Sequence, residues 1–165
     1  MKHFLVSPEA PDTITRRRLV EIEGHTIRVR IYAPTVGQLD QSAPHRTIAN
    51  ALVDTGASDV FIDASIAAEL NLRERNPRTI KTIRGDAGGV GYSAYLAVPD
   101  LEFGENFEVV ALRMQGQGRM NYDLVLGRTF LERYRIQYDG PMGTMLFEWG
   151  SPNDFGVHSN EEWDN

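Results

Sequence analysis

The sequence of 165 residues contains no cysteine, and this absence excludes several kinds of chemistry. Without thiols the protein can have no disulfide bond, no cysteine nucleophile and no thiolate metal site. It also lacks any run of the roughly 18–20 apolar residues that a membrane-spanning helix needs. The apolar run near the N-terminus, residues 4–6, is far too short for a signal peptide. Together these absences predict a cytoplasmic protein with no membrane partner.

Positive charge is scarce as well. The 17 Lys and Arg residues are outnumbered by 23 Asp and Glu residues, which gives a net charge of −6 at pH 7. Because nucleic-acid-binding proteins usually present a basic face, we expect no nucleic-acid partner. The one basic run, residues 16–18, is expected to be the solvated lead-in to a strand.

The length fits one domain, and closely spaced turn signals divide it into short segments. Apolar and polar residues alternate over residues 19–23 and again over 27–32, which is typical of two strands joined by a tight turn. A loop rich in Pro, Gly, Gln and Asp follows at 33–46. Further strands are expected at 47–53, 60–62, 96–101, 107–114, 124–126, 135–138 and 144–147.

Only two short helices are expected, one at 66–70 capped by Ser65 and one at 129–134. Many short strands with few helices indicate a mostly-β fold, either a small closed barrel or a sandwich. The two ends differ in composition from this domain, which spans 19–149. Residues 1–18 are aperiodic and predict an N-terminal arm, and 150–165 are polar and acidic and predict a disordered tail.

The most informative segment is the string Ala-Leu-Val-Asp-Thr-Gly-Ala-Ser at residues 51–58. An apolar strand delivers the carboxylate of Asp54 to the start of a turn. Gly56 permits a close approach that a side chain would block, and Ala57 keeps the neighbouring space small. Taken alone, the string is also compatible with an ordinary turn that closes a strand.

Two further segments follow in order. Residues 80–95 predict a hairpin whose glycines lie among β-branched and aromatic residues. Residues 123–131 combine an apolar triplet with Gly127, Arg128 and the start of a helix. By itself, this last segment is an ordinary strand-to-helix turn.

Together, the Asp-Thr-Gly-Ala turn, the glycine-rich hairpin and the Gly-Arg segment resemble the retropepsin family, the aspartic proteases of retroviruses and their cellular and bacterial relatives. The resemblance covers roughly residues 27–147. It implies a small, barrel-like acid protease fold with one or two short helices. It also implies that Asp54 is the catalytic residue of an aspartic endopeptidase, and that the hydroxyl of Thr55 bonds across a dimer beneath the two aspartates.

The same resemblance assigns further roles. Gly56, which also supports the active site, and Ala57 match contacts to the substrate backbone. The positions expected to bind substrate are Ala57, Ser58, Asp59, Gly85, Gly88 and Gly89, the last three in a flap. Gly127 and Arg128 match a structural signature of the family. Where many retroviral members carry an aspartate after Asp-Thr-Gly-Ala, this chain has Ser58, so Arg128 is expected to pair with Asp59 or with another group.

The number of catalytic aspartates predicts the assembly. Peptide hydrolysis by this route needs one carboxylate to accept a proton from water and another to donate one. The sequence holds a single Asp-Thr-Gly, so we expect a homodimer in which each chain contributes Asp54. The alternative is a protein of the same fold that dimerises or binds peptides with little or no proteolysis.

Other chemistries have weaker support. The four histidines, at positions 3, 25, 45 and 158, lie in predicted arms, turns or loops and are expected to be solvated, which disfavours a serine hydrolase. The absence of a His-Glu-x-x-His pair disfavours a metalloprotease, so no metal is expected. Residues 89–91 loosely match a dinucleotide fingerprint, but no helix pattern follows them, so no cofactor is expected.

Overall fold

The computed structural model describes residues 2–37, 39–40, 42–82, 85–114 and 122–150. The helices are α1 (Thr13–Glu23), α2 (Ala64–Glu69) and α3 (Arg128–Leu131), with a 3-10 turn at Pro99–Leu101. The strands are β1 (Lys2–Val6), β2 (Thr26–Tyr32), β3 (His45–Val53), β4 (Phe61–Asp63), β5 (Arg73–Thr82), β6 (Gly85–Val98), β7 (Phe103–Leu112), β8 (Leu124–Leu126), β9 (Arg135–Asp139) and β10 (Thr144–Trp149).

Six of the strands close into a barrel. In the seven-stranded sheet the order is β2-β3-β8-β4-β7-β6-β5, and an additional pairing joins β6 back to β2. The outermost strand, β5, pairs with β6 in an antiparallel hairpin. A separate sheet has the order β1-β10-β9. The prediction of a mostly-β chain built as a small closed barrel is confirmed.

The barrel interior is apolar. Val29, Ile62, Leu96 and Leu126 have no exposed surface, and Phe130 of α3 joins the same core. Each large apolar side chain buried in this way contributes about 1.5–3 kcal/mol. The core therefore fixes the ends of the short strands β4 and β8, which lie beside the predicted catalytic segment.

The strand predicted at residues 19–23 is wrong, because these residues lie in α1. Asp12 caps this helix by accepting a hydrogen bond from the Thr15 backbone N–H at 2.8 Å, and that bond holds the pKa of Asp12 below its usual value. Gly24, with φ of 70°, ends the helix. The predicted arm is structured in part, since β1 pairs with β10. The predicted boundary at residue 18 and the basic run 16–18 both lie within α1.

Smaller differences concern where elements begin and end. The cap of α2 is Asp63 and not Ser65, since the Asp63 carboxylate accepts from the Ser65 backbone N–H at 3.0 Å. The hairpin starts at Arg73, earlier than predicted. The strand predicted at 96–101 ends at Val98, where Pro99 opens the 3-10 turn. The predicted acidic tail, apart from residue 150, lies outside the described residues.

His25 is buried, so the prediction of a solvated side chain is wrong at this position. Only 5% of the residue is exposed. Its ring packs edge-on against Tyr138 with centroids 5.2 Å apart, and neither ring nitrogen has a hydrogen-bond partner among the described residues. Burial therefore holds the pKa of His25 below its ordinary value.

This burial predicts sensitivity to acid. Because its pKa is lowered, folded His25 remains neutral to a lower pH than in the unfolded chain, which binds a proton there below about pH 6.5. The free energy of unfolding should have its full value above that pH and fall as the pH drops, by at most about 1.4 kcal/mol per pH unit. Urea unfolding at a series of pH values should show that His25→Phe loses this part of the dependence, whereas His45→Phe, at an exposed position, keeps it. Equal acid sensitivity in His25→Phe and the parent protein would contradict the prediction.

Candidate active site

Strands β3 and β8 lie side by side and parallel, with Leu52 opposite Val125 and Val53 opposite Leu126. Both strands end at the same level of the barrel, so the turn that follows each of them emerges at one place. The Asp54 backbone N–H donates to the Leu126 carbonyl at 3.1 Å. The barrel thus places the Asp54 turn, defined as residues 54–59, beside Gly127.

The carboxylate of Asp54 is half-buried and held by its own turn. The Gly56 backbone N–H donates to Asp54 Oδ1 at 2.8 Å, and the Ala57 backbone N–H donates to the Asp54 carbonyl at 3.2 Å. A Cβ atom on residue 56 would lie 3.0 Å from that same Oδ1. Glycine at position 56 therefore leaves the carboxylate accessible while its amide fixes the side-chain direction.

The Gly127-Arg128 segment supports the Asp54 turn through main-chain contacts. A Cβ atom on Gly127 would lie 2.2 Å from the Asp59 carbonyl oxygen and 2.8 Å from that of Ala57. The backbone N–H of Arg128 donates to the Ala57 carbonyl at 2.9 Å, and that of Thr129 donates to the Ser58 carbonyl at 3.0 Å. Only glycine permits this close approach of the two segments.

The Arg128 side chain does not pair with Asp59. Its Nη1 donates to the carbonyl oxygens of Thr55 and Gly56, each at 3.2 Å. Asp59 instead accepts from the Ser58 hydroxyl at 2.6 Å and from Arg78 Nη2 at 3.3 Å. Of the two alternatives for Arg128, the pairing with another group is therefore the correct one.

Arg78 is a residue of the site that sequence analysis missed. It lies on β5, and its Nη2 is 3.3 Å from both Asp59 Oδ1 and Glu108 Oε1. The three side chains are partly exposed, so each contact contributes little by itself. Together they join the hairpin arm, the Asp54 turn and β7. No local sequence signal marks Arg78, because its partners lie in other strands.

A cavity of about 570 Å³ opens in front of Asp54. Ala57 and Ser58 of the Asp54 turn and Ile80 of β5 line it. The remaining apolar lining residues are Phe61, Leu112, Met114 and Val125. A carboxylate at the edge of an apolar cleft is suited to proton transfer on a ligand whose side chains occupy that cleft.

The predicted site residues separate into two groups. Asp54, Gly56, Ala57, Ser58 and Arg128 all line the cavity. The other group does not line it: Thr55 and Asp59 lie in the Asp54 turn, Gly127 lies against that turn, Gly85 opens β6, and Gly88 and Gly89 lie opposite Thr79 and Arg78. Thr82 of β5 pairs with Gly85 of β6, and the two residues between them lie outside the described residues.

Two absences hold for the part of the chain that the structure describes. No group of three or more His, Asp or Glu side chains in these ranges could hold a metal ion. None of the helices in the same ranges has the length and apolar character needed to cross a membrane.

Comparison with known proteins gives a family match. A family model described as "gag-polyprotein putative aspartyl protease" matches residues 45–133, more than half of the chain. No curated protein matches the sequence.

Several solved structures are similar to the chain. A retropepsin-like aspartic protease from Rickettsia conorii has 16% identity and a TM-score of 0.48 over 90% of this chain and 91% of that one. Simian foamy virus protease has 17% identity and a TM-score of 0.42 over 66% and 92%. EIAV protease in complex with the inhibitor HBY-793 has 17% identity and a TM-score of 0.38 over 52% and 75%.

Proposed function

The chain belongs to the gag-polyprotein aspartyl protease family, and we propose that it is an aspartic endopeptidase whose active site forms when two copies meet. The observation that carries this proposal is the placement of Asp54. Its carboxylate is half-buried, oriented by the Gly56 amide and directed to an apolar cleft of about 570 Å³. Each copy contributes one such carboxylate to a homodimer.

The chemistry needs both carboxylates. One Asp54 accepts a proton from a water molecule, whose oxygen attacks the peptide carbonyl carbon, while the other Asp54 donates a proton to the carbonyl oxygen. Collapse of the resulting diol breaks the carbon–nitrogen bond, and the amine leaves with a proton. Two carboxylates held together do not readily ionise together, so the pair shares one proton. Activity is therefore expected to peak at acidic to mildly acidic pH and to fall as the shared proton is lost.

The surrounding residues position an extended peptide. Gly56 and Ala57 present main chain with little side-chain bulk, so a substrate backbone can lie against them. Ser58 and Asp59 continue this binding surface. The β5–β6 hairpin acts as the flap that covers the substrate, with Gly85, Gly88 and Gly89 in the arm nearest its end. No cofactor or metal takes part.

Dilution and chain mixing test the shared site. Activity per chain should rise with concentration across the dimer dissociation constant and then level off. An excess of Asp54→Asn chains should remove activity from wild-type chains, because each mixed dimer holds one competent carboxylate. The matched control is an equal excess of Asp100→Asn chains, altered at an exposed aspartate outside the cleft. Because Asp100→Asn chains keep Asp54, the mixed dimers that they form should cleave peptide, and the total activity should rise.

The outcomes separate two possibilities. A rate per chain that stays constant at concentrations where the protein sediments as a monomer would exclude the two-copy site. A dimer that binds peptides from a mixed library and cleaves none of them would identify a peptide-binding module.

A further inference from the structure

Strand β5 lines the cleft but is hydrogen-bonded along one edge only. It is the outermost strand of the barrel sheet, and among the described residues its strand partner is β6. The register of this pairing shifts between Glu74 and Pro77, and Pro77 has no backbone N–H to donate. The place of β5 over the cleft therefore depends on side-chain contacts that extend beyond β6.

Two side chains of β5 make such contacts. Arg78 and Ile80 point to the same side of the strand, because side chains two residues apart in a strand share a face. Ile80 is buried in a small apolar cluster with Phe61, Val110 and Val125. Apolar packing of this kind holds β5 down but is non-directional. The directional contact comes from Arg78.

The Arg78 side chain extends across β6, which lies between β5 and β7 in the sheet. Its Nη2 is 3.3 Å from Glu108 Oε1 on β7 and 3.3 Å from Asp59 Oδ1 in the Asp54 turn. Two glycines of β6 leave room for this crossing. Gly89 lies directly opposite Arg78, and a Cβ atom on Gly91 would lie 3.3 Å from the same Glu108 oxygen.

The contact between Arg78 and Asp59 joins two segments that line the cleft. These segments are residues 79–81 of β5 and residues 56–58 of the Asp54 turn. Arg78 directly precedes the first segment, and Asp59 directly follows the second. We propose that Arg78 is a positioning residue, which holds β5 against the Asp54 turn and so sets the spacing of the cleft that takes the peptide. The inference rests on the proposed function, because the peptide in the cleft is part of that proposal.

The direction of the Asp54 carboxylate does not depend on this contact. The Gly56 amide orients the carboxylate, and the amides of Arg128 and Thr129 hold its turn. Loss of the Arg78 charge should therefore weaken peptide binding and leave the turnover of bound peptide nearly unchanged, so KM rises while kcat stays within about twofold. Loss of folded or dimeric protein would do the opposite, because fewer intact sites lower kcat at an unchanged KM.

Three variants test the role of the charge. Arg78→Met keeps an apolar stem and removes the cation, and it should raise KM about threefold to tenfold, the effect of losing two partly exposed ion pairs. In Arg78→Lys one ammonium can replace Nη2, which makes both contacts, so KM should return most of the way to the parent value. The matched control is Arg73→Met, which removes an exposed cation of β5 outside the cleft lining and should leave KM unchanged.

The kinetic outcomes decide the assignment when the dimer fraction of each sample is measured alongside the rates. An unchanged KM in Arg78→Met would overturn it, as would a lower kcat at an unchanged KM. An equal rise of KM in Arg73→Met, or no recovery in Arg78→Lys, would also overturn it, because either result shows that the specific contact of Arg78 is not what matters.

Hydrogen exchange provides a second measurement that needs no cleavage. The backbone amides of residues 73–82 should exchange about threefold to tenfold faster in Arg78→Met than in the parent protein, while those of β2 and β3 keep the parent rate. Faster exchange in a protein that cleaves no peptide would support the contact and count against the proposed function. Unchanged exchange together with intact cleavage would overturn the role of Arg78 and leave the proposed function standing.

Discussion

Replacing Asp54 with asparagine is expected to lower kcat/KM for peptide cleavage by about a thousandfold or more. Asparagine has nearly the same shape as aspartate and keeps an oxygen to accept from the Gly56 amide, which is 2.8 Å away in the parent chain. It can neither accept the proton of the attacking water nor hold the proton shared by the pair. The free energy of unfolding should therefore stay nearly unchanged while turnover is lost.

The control for this variant is Asp100→Asn, which removes a carboxylate of the same type from an exposed position outside the cleft. Initial rates are measured on one fluorogenic peptide, together with the dimer fraction of each sample. The two measurements distinguish a loss of turnover from a loss of dimerisation. Residual turnover above about a thousandth of the parent value would place the acid–base chemistry elsewhere.

Gly127→Ala is expected to lower the free energy of unfolding by about 3 kcal/mol and to remove most of the activity. The added Cβ atom would lie 2.2 Å from the Asp59 carbonyl oxygen and 2.8 Å from that of Ala57. Both are main-chain atoms that cannot rotate away, so the two segments must separate. That movement breaks the bonds from Arg128 and Thr129 that hold the Asp54 turn.

Urea unfolding measures the stability effect, with Gly88→Ala as the matched control for stability alone. A Cβ atom at Gly88 has no neighbour within 4 Å, so that substitution should cost less than about 1 kcal/mol. If Gly127→Ala were as stable as Gly88→Ala, the close approach at Gly127 would not be what fixes the turn.

The Asp54 turn could be predicted from sequence because its signals are local. An apolar strand, an aspartate, a glycine and a small residue follow one another without interruption. The same holds for Gly127 and Arg128 at the start of α3. Sequence did not indicate that the second segment lies directly on the first, since this follows from the parallel pairing of β3 with β8.

Features that depend on distant partners could not be predicted. The solvation expected for His25 is wrong because Tyr138, from the far end of the chain, packs against its ring. Arg78 meets Asp59 only once the barrel is closed. Helix α1 was missed for a different reason: none of its residues is fully buried, so no apolar stripe marks its period. The alternation of apolar and polar residues over 19–23 is therefore equally compatible with a strand.

The pairing of β1 with β10 determines how the chain responds to mechanical tension. Lys2 lies opposite Trp149, so the two outermost residues of this strand pair share one end of it. Force applied to the chain ends loads these hydrogen bonds one after another, as in a zipper, and not all together in shear. The small sheet should peel apart at low force while the closed barrel, with its laterally paired strands, still resists. An unfoldase that pulls on either end would therefore unfold the three-stranded sheet before the barrel that holds the Asp54 turn.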